Sequence, residues 1–380
     1  MRHSLLALVV WSVLIGCAPE GTATQELRKY SPRTRTYFVA ADEVLWDYAP
    51  SGRDGLTGQP FDATANVFVE RRPNRIGKVY RKAIYREYTD ATFTTVAPRA
   101  PEWEHLGMLG PMIRGVVGDT IVVVFKNNAR HPYSFHVHGL RYDKGSEGAP
   151  YVDGTGSADK GDDIVEPGHV YTYSYSVPDS AGPAERDMSS AFWMYHSHVD
   201  EPADTNDGLV GPIVVTAARA ARDDGTPIDV DRELVAMYSV IDENVSHYLR
   251  DNIEHYGRRT MPIEELMESE EFRESNLMHS INGFVFGNLR GLDAKQGDRV
   301  RWYVLGMGTE VDLHTPHWHG NTVVASGMRT DLVELLPASM KVADMSAENP
   351  GTWLFHCHVN DHIYGGMTAT YRVAATHEGH

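Results

Sequence analysis

From residue 36 onward the apolar positions fall in short runs rich in Val, Ile, Tyr and Thr, each closed by Gly, Pro, Asp or Asn. Such runs predict strands, because branched and aromatic side chains fit a pleated, half-buried surface, and their regular punctuation predicts an all-β sandwich. Residues 36–39 open the first strand; 121–125, 170–177 and 213–216 follow, and a second series runs through 300–305, 352–355 and 367–373. One stretch departs from the pattern. Across residues 262–275, Ile263, Leu266, Met267 and Phe272 stand at mixed helical spacing among acidic residues, which predicts a short surface helix or loop leading to the first strand of a second domain.

The two series share an order of features. In the first, Leu109-Gly110-Pro111-Met112-Ile113 precedes Gly118-Asp119, a strand, His136-Val137-His138 and then His196-Ser197-His198. In the second, Ile281-Asn282-Gly283-Phe284 precedes Gly297-Asp298, a strand, His317-Trp318-His319 and then His356-Cys357-His358. This order predicts an internal duplication of a unit of roughly 150 residues. The expected division is a leader over 1–17, a tether over 18–35, one β domain over 36–220, a charged linker over 221–232 and a second β domain over 233–376.

Composition narrows the function classes. The net charge of −17 argues against nucleic-acid binding. The N-terminus reads as a processing signal, with Arg2 and His3 before an apolar run over residues 5–15 that is too short to span a bilayer. It ends in Leu14-Ile15-Gly16-Cys17, similar to a bacterial lipobox, so the expectation is export to a bacterial cell envelope, periplasmic or anchored by lipid on Cys17. The second cysteine, Cys357, then has no partner for a disulfide.

Chemistry concentrates in His356-Cys357-His358-Val359-Asn360-Asp361-His362-Ile363-Tyr364-Gly365-Gly366-Met367, where a thiolate, imidazoles and a thioether suit copper. A structural cysteine flanked by two histidines would bury two hydrogen-bonding rings for no packing gain. In a blue copper site Cys357 and His362 are equatorial, Met367 is the long axial ligand, and a second histidine must come from elsewhere. The His-x-His pairs at 136/138, 196/198, 317/319 and 356/358 each turn two imidazoles to one face of a strand. Eight convergent histidines exceed what one metal can use and would supply a cluster of three.

On these motifs the chain resembles the multicopper oxidases, the family of laccases, ascorbate oxidase and ceruloplasmin, built from cupredoxin domains. The resemblance implies a type 1 copper on His314, Cys357, His362 and Met367, a type 2 copper on His136 and His317, and a type 3 pair on His138, His196, His198, His319, His356 and His358. In the first domain Ser197 replaces the cysteine, Tyr133 the first histidine and Pro202 the second, so that domain is expected to hold no type 1 copper. His131, His105, His169, His247, His255, His377 and His380 have no motif partner and are expected to be surface or structural.

The match to ceruloplasmin is closer than that to laccases, through Trp103-Glu104-His105-Leu106-Gly107, residues 195–202, Asp242-Glu243-Asn244 and residues 307–314. It implies an iron site of Glu274, His279, Glu310 and Asp361 beside the type 1 copper, and a calcium site of the Lys144 carbonyl, Asp159, Asp162 and Asp163. It further implies a homotrimer that rebuilds the family's ring of six domains, with Glu310 completing a neighbour's iron site. The expected activity is oxidation of ferrous iron coupled to reduction of O2 to water. The alternatives are a laccase-like oxidase of phenols or cuprous ions, a copper nitrite reductase, which would leave most cluster histidines unexplained, and a copper-binding or electron-carrier protein, which needs the type 1 site alone.

Overall fold

The computed structural model describes residues 30–309 and 311–376. The first half contains β1 (Thr34–Asp47), α1 (Ala65–Val69), β2 (Val79–Tyr88), β3 (Ile113–Val116), β4 (Thr120–Asn127), β5 (His136–Val137), β6 (Val170–Ser176), β7 (Ser190–His196), α2 (Glu201–Asp207) and β8 (Val210–Thr216). The second contains β9 (Arg232–Asp242), α3 (Leu249–Tyr256), α4 (Ile263–Met267), α5 (Glu270–Ser275), β10 (Leu277–Ile281), β11 (Asp293–Lys295), β12 (Arg299–Met307), β13 (Pro316–Trp318), β14 (Val323–Ala325), β15 (Met328–Thr330), β16 (Met340–Ser346), β17 (Gly351–Cys357), α6 (Asn360–Gly365) and β18 (Thr368–Ala374).

The two halves repeat one topology. Sheets ordered β2-β1-β4-β6 and β3-β8-β7-β5 form the first sandwich, and β10-β9-β12-β16 with β11-β18-β17-β13 form the second, which adds the hairpin β14-β15 to its larger sheet. Parallel pairing recurs at the same places, β1 with β4 and β9 with β12, β3 with β8 and β11 with β18.

Strand alternation sorts side chains into three cores. Val123, Phe125, Tyr173 and Tyr175 meet Ile213, Val215 and Tyr195 inside the first sandwich. Ala236, Val300, Trp302 and Val304 meet Trp318, Phe355, Ala369 and Tyr371 inside the second. The third core lies between the sandwiches: Val235, Met237, Tyr303, Leu305 and Met307, the alternate residues of β9 and β12, pack on Tyr80, Ile84, Phe192, Met194, Val210 and Val214. β9 and β12 are therefore covered on both faces. A strand buried on both faces reads as a continuous apolar run without alternation. The second domain therefore begins with β9, such a run with no Gly, Pro or Asn inside it, and α4 and α5, which fill 262–275, lead into its second strand, β10, instead of its first.

Polar ties cross the same boundary. Lys82 on β2 and Glu243 just after β9 are both fully buried and form an ion pair, with Tyr48 Oη donating to the same carboxylate at 2.5 Å. Arg114 pairs with Glu233 at 2.6 Å, and Trp46 donates to the Gly283 carbonyl at 2.6 Å.

Candidate metal centre

Strand register brings the histidine pairs together. β5 and β7 pair His136 opposite His196, and β13 and β17 pair His317 opposite His356, the same juxtaposition in each domain. The alternation of the strand then sets His138 and His198, or His319 and His358, beside them. In the first domain the His136 and His198 rings lie 5.1 Å apart and His138 Nε2 is 3.1 Å from His196 Nε2. In the second, His317 and His358 lie 5.4 Å apart and His319 Nε2 is 3.1 Å from His356 Nε2. After each first pair the chain turns through a glycine, Gly139 at φ +75° and Gly320 at φ +74°. A Cβ there would sit 2.2 Å from the Trp193 ring or 2.4 Å from the Trp353 ring.

Hydrogen bonds choose the ring nitrogen left for a metal. A carbonyl only accepts, so the nitrogen facing one must carry the proton. His136 Nδ1 donates to Glu147 O at 2.6 Å, His196 Nδ1 to Ser197 O at 2.9 Å and His356 Nδ1 to Cys357 O at 2.6 Å, leaving Nε2 of each free. At His314 the choice is reversed: Nε2 donates to Met307 O at 3.1 Å, which leaves Nδ1. That Nδ1 lies 3.2 Å from His362 Nδ1, which lies 3.5 Å from Cys357 Sγ. The Thr315 amide donates to the same sulfur at 3.4 Å. His314, Cys357 and His362 are buried, their ligand atoms within 4.8 Å of one another, and Met367 is fully buried with its amide on His362 O. Asp312, which takes the Thr309 amide at 2.6 Å, shapes the loop that delivers His314 and carries no motif of its own.

This donor set fits copper: one thiol, imidazoles with a committed tautomer, and a buried thioether. Burial depresses His138 to about 4, His196 to about 3 and His314 to about 4, so these rings are neutral at pH 7, as a metal would need them. Burial raises the Cys357 thiol, so copper binding must displace its proton.

These shifts have a consequence for the metal-free protein. An unfolded histidine takes its proton near 6.5, while the folded rings resist it down to about 4 or below. The stability they contribute is complete above pH 6.5 and is lost as pH falls from there towards 4. Thermal unfolding of chelator-stripped protein is expected to show a midpoint that drops steeply between pH 7 and 5. A flat midpoint would contradict the buried neutral rings.

The converging ligands fall into separate sets. His136, His138 and His196 form one and His317, His319 and His356 another, and among the described residues no set draws from both. The second set opens into a cavity of about 440 Å³ with Asn321, Arg329 and Asp331 on its wall, and His358 is exposed.

The implied iron residues are dispersed. His279 is buried, its Nδ1 donating to Leu277 O at 3.0 Å and its ring 5.5 Å from that of His362. Asp361 is exposed in the first turn of α6 and adds its charge at His279. Glu274 is exposed on α5 and lines a different cavity with Asp242 and Arg273. Glu310 lies outside the described residues. Of the implied calcium residues, Asp162 is buried with Oδ2 taking the Gly148 amide at 2.8 Å and Oδ1 unpartnered, Asp163 faces Lys160 at 3.2 Å, Asp159 is exposed, and the Lys144 amine bonds Glu147.

At Ser197 and Tyr133, where the resemblance leaves the first domain without a type 1 copper, hydrogen bonds take over. Ser197 donates to Asp204 at 2.6 Å and Tyr133 to Asp207 at 2.7 Å. Asp204, Asp207 and His247 form a further converging set that the sequence motifs missed. The available signal was spacing: Asp207 follows Ser197 by the same interval as Met367 follows Cys357. Of the other unmatched histidines, His105 is fully buried, its Nε2 accepting from the Val235 amide, and His377 and His380 lie outside the described residues.

Two multicopper oxidase family models match the chain in tandem, over residues 105–220 and 258–377. The chain is 45% identical to human ferroxidase HEPHL1 over 90% of its own length and 29% of that protein, and 43% identical to human hephaestin over 90% and 29%. It is 39% identical to sheep ceruloplasmin over 90% and 32%. The chain thus spans under a third of the length of these relatives. Among solved structures the multicopper oxidase mgLAC matches with a TM-score of 0.57 at 20% identity, covering 92% of this chain and 88% of that one, which supports tandem cupredoxin domains. The mammalian relatives overturn the expectation of a bacterial cell envelope and a lipid anchor; Cys17 and the leader lie outside the described residues. Matched in both halves and aligned with ferroxidases along most of its length, the chain belongs to the multicopper oxidase family, of the ceruloplasmin type.

Proposed function

We propose that this chain oxidises ferrous iron and passes the electrons to dioxygen, which is reduced to water. The carrying observation is the buried convergence of His314, Cys357 and His362 one peptide bond away from His356 and His358. Copper, when bound, supplies the one-electron acceptor at the first set and the reduction of dioxygen at the second. The chain's own part is to hold neutral imidazole nitrogens at both places, keep water from Cys357, and join the two sets through the backbone of a single strand, β17, and its first flanking residue.

The cluster is assigned His136 and His317 at its type 2 copper, and His138, His196, His198, His319, His356 and His358 at its type 3 pair. Since the two histidine sets do not converge within one chain, the reading includes a homotrimer in which the first set of one protomer faces the second set of its partner. A monomer with full copper content and full oxidase rate would exclude that shared cluster.

Ferrous iron as reductant is supported by the ferroxidases among the relatives and by His279 lying against His362 with Asp361 nearby. Carboxylates and one imidazole favour the ferric product, which lowers the iron potential and drives electron loss. Glu274 and Glu310 are proposed to complete such a site, the latter across a protomer boundary. The Lys144 carbonyl, Asp159, Asp162 and Asp163 are proposed to hold calcium, supported by the orphaned Asp162 oxygen.

Oxygen uptake with ferrous iron, cuprous ion and a phenol is the deciding measurement. Glu274→Ala/Asp361→Ala is expected to lower the ferrous rate about 10- to 100-fold and leave the phenol rate within about twofold. An unchanged ferrous rate, with phenols turning over well, would replace the ferroxidase reading by a laccase-like one.

A further inference from the structure

Where the second domain places its blue copper ligands, the first places buried acid. Asp204 and Asp207, on α2, are fully buried. His247, from the segment after β9, brings Nδ1 to 2.7 Å from Asp207 Oδ2 and 3.9 Å from Asp204 Oδ1. Facing an acceptor, this Nδ1 carries a proton, which a bound cation would displace, while Asp207 Oδ1 takes Ser246 Oγ and the His247 amide. The three ligand atoms lie within 4.8 Å of one another.

Two observations separate this set from an ordinary hydrogen-bonded cluster. The first is an orphan. Asp204 Oδ2 is fully used, by Ser197 Oγ at 2.6 Å and the amides of Val199 and Asp200 at 3.0 and 3.1 Å, whereas Oδ1 is buried without a hydrogen bond, His247 Nδ1 lying 3.9 Å away. Buried carboxylate oxygens are rarely left so. The second is charge. Among the described residues the only ion-pair partner of either carboxylate is His247; Glu243, whose charge also acts here, is engaged by Lys82, and Arg130 is engaged by Glu43 and Asp251. Two buried anions facing one imidazole leave a net negative pocket. His131, stacked on His247 at 4.9 Å, forms its partly open side.

We propose that Asp204, Asp207 and His247 bind one divalent first-row cation. Two hard oxygens and one imidazole, without thiolate or thioether, suit Zn²⁺ or Mn²⁺ and disfavour cuprous ion. Both carboxylates come from the first domain and His247 from the second, so the ion clamps the two domains at the position the first has lost to copper. The proposal uses none of the copper residues and stands independently of the oxidase reading.

The test titrates copper-loaded, full-length protein with Zn²⁺ and, separately, Mn²⁺ by calorimetry, followed by gel filtration and elemental analysis. One of the two ions is expected to bind at one more site per chain in the wild type than in the His247 and Asp207 variants, beyond the copper content and whatever the proposed iron and calcium sites take up. His247→Ala and Asp207→Asn are each expected to weaken that binding at least tenfold, with copper content and blue absorption unchanged. The partly exposed His247 makes its alanine variant the one least able to disturb folding, and retained copper certifies the fold. No added ion in the wild type, or wild-type affinity in a copper-replete His247→Ala protein, overturns the proposal.

Discussion

Cys357→Ser is expected to remove the intense blue absorption and to lower oxygen uptake with ferrous iron by at least about 100-fold, the scale set by losses one shell further out. The serine hydroxyl is a poor copper ligand and is shorter, so it cannot keep the position that Cys357 Sγ holds 3.5 Å from His362 Nδ1. The Thr315 amide, 3.4 Å from the sulfur, would then have to find another acceptor. His356 and His358 flank the substituted residue and do not depend on its side chain, and His356 keeps its bond to the carbonyl of residue 357. Cluster copper is therefore expected to remain bound in the variant, as elemental analysis and electron paramagnetic resonance would report. A blue protein, or one with undiminished uptake, would remove Cys357 from the electron path.

Lys82→Met is expected to cost about 3–5 kcal/mol, because it leaves Glu243 fully buried without its cation. Burial already holds the Glu243 carboxyl above its ordinary range against the pull of Lys82 and the Tyr48 hydroxyl; without the lysine it rises further, so the variant must bury an uncompensated anion or take up a proton to fold. Lys82 also donates to Asn206 O at 2.7 Å, so its loss frees the end of α2 as well. Thermal unfolding should show a large drop in midpoint for Lys82→Met and a smaller one for Lys82→Met/Glu243→Gln, since the double variant leaves no buried charge. Equal losses in the two variants would mean that the charge is not what matters.

Much of this architecture is written in local patterns. The duplicated order of Gly-Asp turns and His-x-His pairs foretells the repeated topology, because each pair needs a strand to point two rings one way. The convergence around Cys357 is readable for the same reason: Cys357, His362 and Met367 are close in sequence, and α6 folds them back on one another. What escapes is whatever depends on distant pairing. β9, like β12, is a continuous apolar run, and nothing local in it tells that one of its faces meets the first domain, while Lys82 meets Glu243 only after two domains have docked. The helices α4 and α5 fill the stretch whose mixed spacing predicts a short helix or loop, but that spacing does not say that two helices share it. Asp204, Asp207 and His247 escape because they stand where a known motif is absent, and an absent motif draws no attention to its substitutes.

The apolar layer formed by Met237, Leu305 and Met307 against Tyr80, Met194 and Val214 bears on how such proteins grow. Either sandwich alone would present that layer to water as a contiguous greasy patch, an invitation to aggregate. The unit that hides this layer is therefore the pair of sandwiches. Lengthening the architecture by gene duplication is expected to proceed two domains at a time, and a break placed between β8 and β9 is expected to yield insoluble halves.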